Sequence, residues 1–216
     1  MKTIAALSLL VLLGLPITRA DAGANRSGAL IVHADASTIY TAGRDYCMGD
    51  FRSPGTCAGA QTEISVTGDP VVVWFVAAFP SNASPAVTTV QFGITTSVPR
   101  SSIVGHGYCG SMALELPDPG FPDSDTGTLV SMSTEYGTLF PVYWFGVEGQ
   151  SGDTFGSTIY PGDGRGVWVD DGSPPAEDPI EGFGTAGWNT IGHNDCPPAA
   201  FETRSSSWGN VRAGYR

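Results

Sequence analysis

Two short units carry the residues best suited to binding or reaction, His106-Gly-Tyr-Cys109 and His193-Asn-Asp-Cys196. Together His106, Cys109, His193 and Cys196 offer two imidazoles and two thiolates, the donor set of a tetrahedral zinc site. The chain's four cysteines, Cys47, Cys57, Cys109 and Cys196, all lie beyond an export-type N-terminus. An even count in an oxidising compartment favours two disulfides over a metal. Of the three connectivities, Cys47–Cys57 with Cys109–Cys196 is preferred. The first closes the Gly/Pro-containing excursion Met48 to Thr56, and the second ties a mid-chain strand end to the last ordered segment.

Asp123-Ser-Asp125-Thr-Gly127 has the acid spacing that opens a calcium loop, but glycine stands at 127 and no glutamate follows until Glu135. Asp163, Asp170, Asp171, Glu177 and Asp178 form a second acidic loop region. A structural calcium on Asp123 and Asp125, or holding such loops, is the cofactor the acids suggest, and solvated turn acids are the preferred reading. Gly149-Gln-Ser151-Gly-Asp153 falls short of the Gly-x-Ser-x-Gly nucleophile turn and has no histidine in a recognisable partner context. Carboxylate pairs for glycoside hydrolysis come from separate strands, so spacing does not pick them out. Tyr143-Trp144-Phe145 suits core packing better than a sugar platform, because adjacent strand residues point to opposite faces. Asn25-Arg-Ser27 and Asn82-Ala-Ser84 are glycosylation sequons.

The elements that must position these residues are strands. Val71 to Phe79 is apolar on both alternating faces and bounded by Pro70 and Pro80, which predicts a central strand covered on both sides. Thr88 to Thr96 alternates cleanly, with Val90, Phe92 and Ile94 inward. Leu139 to Val147, again apolar on both faces, is the expected partner of Val71 to Phe79, and Pro141 within it marks a bulge or a register where no amide is needed. Further strands are expected at Gly28–His33, Ser37–Tyr40, Thr62–Thr67 (Ile64 and Val66 inward), Ser102–Tyr108, Met112–Leu116, Thr128–Ser133, Thr154–Tyr160 and Gly166–Val169. From Asp170 to Pro198 the sequence reads as loop. The 29 glycines and 16 prolines are scattered as turns. The fold class expected is all-β: a single antiparallel two-sheet β-sandwich, Ig- or cohesin-like or a jelly roll, with disulfide-tied loops.

Residues 1–22 have the form of a signal peptide: Lys2, the apolar run Ile4 to Leu15, the break at Pro16, and Ala20 and Ala22 before the cut. Residues 23–198 then form the domain and 199–216 a C-terminal tail, read as a sorting or docking segment with a clasp on the acidic domain as the alternative. Without Lys2, Arg19 and Asp21 the chain keeps eight arginines against twenty acids and has no lysine, a net charge of about −12. Such a surface argues against nucleic acid as a partner, and no membrane span is expected in the mature chain.

The series Gly28-Ala-Leu-Ile-Val-His-Ala-Asp35, Tyr46-Cys47, Val73 to Pro80, Val90 to Ile94, Gly107-Tyr-Cys-Gly110 and Val142-Tyr-Trp-Phe145 resembles an uncharacterised family of secreted β-rich proteins of uncultured bacteria. The ending Ser207-Trp-Gly-Asn-Val-Arg-Ala-Gly-Tyr-Arg216 is similar to a Trp-Gly…Tyr-Arg tail of exported proteins from the same lineages, with Arg212 where lysine is common. This resemblance implies export and a shared fold, and no catalytic residue. A fainter likeness, through Val90 to Ile94, is to cohesin-type sandwiches. The function expected is a secreted or cell-surface, non-enzymatic binding or structural protein with a protein or polysaccharide ligand. The alternative is a secreted hydrolase.

Overall fold

The computed structural model describes residues 23–47 and 49–198, so the expected signal peptide and C-terminal tail lie outside the described residues. The chain is all-β, with thirteen strands and two single 3-10 turns among the described residues. In chain order the strands are β1 (Ala29–Ile39), β2 (Glu63–Ile64), β3 (Val71–Ala78), β4 (Val87–Thr96), β5 (Ile103–Tyr108), β6 (Leu114–Pro117) and β7 (Gly127–Glu135). They continue as β8 (Leu139–Val147), β9 (Thr154–Thr158), β10 (Val167–Val169), β11 (Glu177–Pro179), β12 (Gly182–Trp188) and β13 (His193–Asn194).

All thirteen join one mixed sheet, in the order β11-β10-β4-β9-β12-β1-β3-β8-β5, with β7 and then β6 branching from β4. The expected pair of separate antiparallel sheets is thereby replaced. The element responsible is β12, which runs parallel to both β1 and β2 and antiparallel to β9, joining the two halves of the sheet. The stretch Asp170 to Pro198, which reads as loop in the sequence, holds β11, β12 and β13 instead; in β12 the run Gly-Phe-Gly-Thr-Ala-Gly-Trp has poor strand propensity. Its glycines are there for contact instead. A Cβ on Gly182 would stand 2.4 Å from the Asp195 carbonyl oxygen, and one on Gly184 2.4 Å from the Val32 nitrogen.

The central strand is β3, buried at every position. It pairs antiparallel with β1 and β8, and the register slips between Phe75 and Val76, next to Pro141, where a bulge was expected. Val71, Val73, Phe75 and Ala77 face the other half of the sheet. Phe75 lies 5.5 Å from Phe92 and 5.8 Å from Phe155, and Phe145 4.9 Å from Phe155, between ring centroids. Val72, Trp74, Val76 and Ala78 face outward into a second core with Ile31, Tyr46 and Trp144. Without a roof that face would expose a tryptophan, and the chain around Tyr46, Phe51 and Cys57 supplies it. Trp74 Nε1 donates to the Tyr46 carbonyl at 2.9 Å, so the indole is both covered and satisfied.

The roof also explains the disulfides. Cys47 bonds Cys109 and Cys57 bonds Cys196, in place of the expected Cys47–Cys57 and Cys109–Cys196. A loop that served only itself would be closed on itself. This one lies across the sheet, so one cysteine reaches the chain just after β5 and the other the chain after β13. Two smaller expectations also change. Gly28–His33 and Ser37–Tyr40 merge into one strand with a register shift between Ala34 and Ile39, and Val66 is exposed rather than inward.

Candidate functional site

Two strands at the ends of the sheet, β5 and β6, pair on one side only among the described residues, with β8 and β7 respectively. Side chains cross the seam between them. His106 on β5 and Tyr143 on β8 stack with centroids 6.0 Å apart, and His106 Nδ1 lies 2.7 Å from the Tyr143 hydroxyl. Tyr143 donates to Glu115 Oε1 on β6 at 2.8 Å, and Thr128 on β7 donates to the same oxygen at 3.0 Å. Phe121 closes over His106 edge-on at 5.6 Å. Alternation places them there: Glu115 is opposite Val130, and both point inward while Leu114 and Leu116 point out.

Protons can be assigned along this chain. Burial, and then the Glu115 charge and hydrogen bond, push the Tyr143 phenol far above its usual range, so it stays protonated and donates to Glu115. Burial holds His106 below the usual histidine value, with Glu115 opposing and Arg100 adding to the fall. A neutral imidazole carrying its proton on Nδ1 then donates to the phenol oxygen. The direction is His106 to Tyr143 to Glu115, with each group satisfied by the next. A satisfied chain of this kind holds an open edge together.

The zinc set is not assembled. Cys109 and Cys196 are spent in two different disulfides, and His193 sits on exposed β13 with Nε2 2.7 Å from Asp195. Asp123 lies in the turn after β6 with its carboxylate 3.3 Å from Arg100 Nε, and Asp125 in the same turn has φ 59°. Neither is joined by further ligands: among the described residues no three His, Cys, Asp or Glu side chains gather as a metal site. Asp153 of the serine-containing turn accepts from the Gln150 amide at 2.8 Å, a turn-capping role. Tyr143, Trp144 and Phe145 are core residues, as expected.

A second polar cleft, about 290 Å³, opens beside the roof between His33, Asp35, Arg52 and Gln61. His33 is buried, stacks on Trp74 at 6.1 Å and accepts the Gln61 amide on Nδ1 at 3.1 Å. Burial lowers its pKa, opposed by a hydrogen bond to the Arg52 backbone and by Asp35. Asp35 is itself held low by the Ser37 hydroxyl and amide, which outweigh its desolvation, and by Arg52 at 3.8 Å. The imidazole thus fastens the roof to β1.

Of the two sequons, Asn82 is exposed and Asn25 is fully buried, its side chain bonded both ways to the Ala86 backbone. Asn25 is therefore closed to glycosylation once folded. Sequence reasoning missed the seam because His106, Glu115 and Tyr143 share no local motif. The only local sign was Glu115 inside the otherwise apolar Met112 to Leu116.

The geometry defines a disulfide-tied all-β protein with a polar seam at its open edges. Comparison with protein-family models, curated proteins and solved structures finds no match for the chain. Among the described residues no helix is long and apolar enough to cross a membrane.

Proposed function

We propose that this is an exported, sandwich-like binding module whose ligand is a protein, engaged at the outer face and free edge of β6. The observation that carries it is exposure: Leu114 is 61% and Leu116 59% accessible, with Met112 at 92% in the preceding turn, beside a strand edge that has no partner strand among the described residues. Aliphatic side chains spaced by two on an edge strand suit an added strand of another chain, with backbone bonds for affinity and apolar contacts for selection. A polysaccharide face would present aromatic platforms. The four tryptophans among the described residues, Trp74, Trp144, Trp168 and Trp188, are all at most 8% exposed, and the exposed aromatics are single tyrosines, Tyr108 on β5 and Tyr136 after β7. The acidic chain favours a ligand with basic flanks. The two disulfides and the leader-like N-terminus support export. A hydrolase would draw on His106 and Glu115, but Glu115 is already held by two hydroxyl donors.

The test is a displayed-peptide selection and a glycan array run in parallel on the mature protein and on Leu114→Asp/Leu116→Asp. Selected peptides should carry alternating aliphatic residues, lose at least about tenfold in affinity with the variant, and weaken with salt. Glycan binding unaffected by the variant would transfer the reading to a polysaccharide ligand elsewhere on the surface.

A further inference from the structure

Gly23, the first described residue, ends against a buried carboxylate. Its backbone nitrogen donates to Asp178 Oδ1 at 2.9 Å, and the Asn25 amide donates to Oδ2, also at 2.9 Å. Asp178, on β11, is only 3% exposed, and among the described residues no cationic side chain pairs with it. A carboxylate buried to that degree is costly without a counter-charge. The surrounding segment is fixed firmly. Asn25 is locked to the Ala86 backbone, and a Cβ on Gly23 would fall 2.3 Å from Asp178 Oδ2, so this close approach requires glycine.

The residues immediately before Gly23 are Ala20-Asp21-Ala22, small at the two positions read by a signal peptidase. We propose that removal of residues 1–22 makes the Gly23 α-ammonium, and that this new cation forms a buried ion pair with Asp178 which locks the exported fold. Cleavage hydrolyses the Ala22–Gly23 peptide bond. Water supplies the hydroxyl of the Ala22 carboxyl group, and the amine released on Gly23 takes up a proton at neutral pH. An amide donor at 2.9 Å becomes a charged one at the same place, and charge-assisted hydrogen bonds are roughly twice as strong as neutral ones. The unprocessed chain lacks the counter-charge, so its fold is less stable than that of the exported chain. The inference rests on the export reading for its cleavage, while the pair itself can be tested without it.

Lys2 is the only lysine, so in the processed chain the Gly23 α-amine is the only aliphatic amine. An N-hydroxysuccinimide ester therefore reports on Gly23 alone, without mutation. Residues 23–216 should be prepared oxidised, with Gly23 exposed by a tag protease, beside the same chain begun at Asp21. Native Gly23 should acylate at least about tenfold more slowly than in the denatured chain, as a partner-bound amine does. The Gly23 form should melt about 5 °C above the Asp21 form. Asp178→Asn should remove that difference. An amine acylated equally fast in both states, or equal melting of the two forms, overturns the pair. N-terminal sequencing of the protein made in an exporting host, in both cell and medium, separates the two claims. A cut at another bond, or residues 1–22 retained on protein outside the cell, overturns this processing site, whereas protein found only inside the cell sinks the export reading itself.

Discussion

Gly184→Ala is the sharpest probe of the strand that closes the sheet. In the structure the Asn194 side chain fills the gap where β12 leaves β1. Its Oδ1 accepts the Val32 amide and its Nδ2 donates to the Val32 carbonyl, both at 2.8 Å. A Cβ on Gly184 would lie 2.1 Å from that Oδ1 and 2.4 Å from the Val32 nitrogen. One atom is the side-chain tip and the other is backbone, so relief requires β12 to move from β1. Two hydrogen bonds at about 0.5–1.5 kcal/mol each, with overpacking of about 1–3 kcal/mol, give a loss of about 2–6 kcal/mol. That is a large share of the total for a domain of this kind. In urea, with a slope of about 2 kcal/mol/M, the midpoint should fall by about 1–3 M. Gly137→Ala is the control, since its new Cβ meets nothing closer than 3.4 Å. Equal midpoints for the two variants would refute the account of β12.

Acid should loosen the roof. His33 is held below its usual value by burial, so it stays neutral in the fold, while in the unfolded chain it takes up a proton below about pH 6.5. The unfolded state binds more protons in that window, and stability falls as pH drops through it, by up to about 1.4 kcal/mol per pH unit. Buried His106 acts with the same sign, so melting curves from pH 7.5 to 5.5 should retain part of their slope in His33→Gln and lose the rest; an unchanged slope would clear His33 of the role. Cys57→Ser/Cys196→Ser opens a link between residues 139 apart, worth about 5 kcal/mol on chain entropy, and Cys47→Ser/Cys109→Ser one 62 apart, about 4 kcal/mol. Denaturant titration should show both losses, and non-reducing peptide mapping should recover those pairs; a Cys47–Cys57 peptide would undo the roof argument.

Several features followed from sequence alone because they depend on local alternation. Val71 to Ala78 is buried on both faces, Val90, Phe92 and Ile94 point inward, and the bulge lies beside Pro141. All-β character and the oxidation of all four cysteines followed from composition. Only the tertiary structure decided how the cysteines pair, because that depends on where the roof crosses the sheet and not on spacing along the chain. It also decided that Gly182 to Trp188 is a strand: glycine's low propensity is a local property, whereas the room it leaves for Val32, Asn194 and Asp195 exists only once those segments converge. The seam of His106, Tyr143 and Glu115, and the meeting of Gly23 with Asp178 across 155 residues, have the same origin. Each joins side chains or termini from distant strands, and a one-dimensional pattern carries no information about which distant strands will meet.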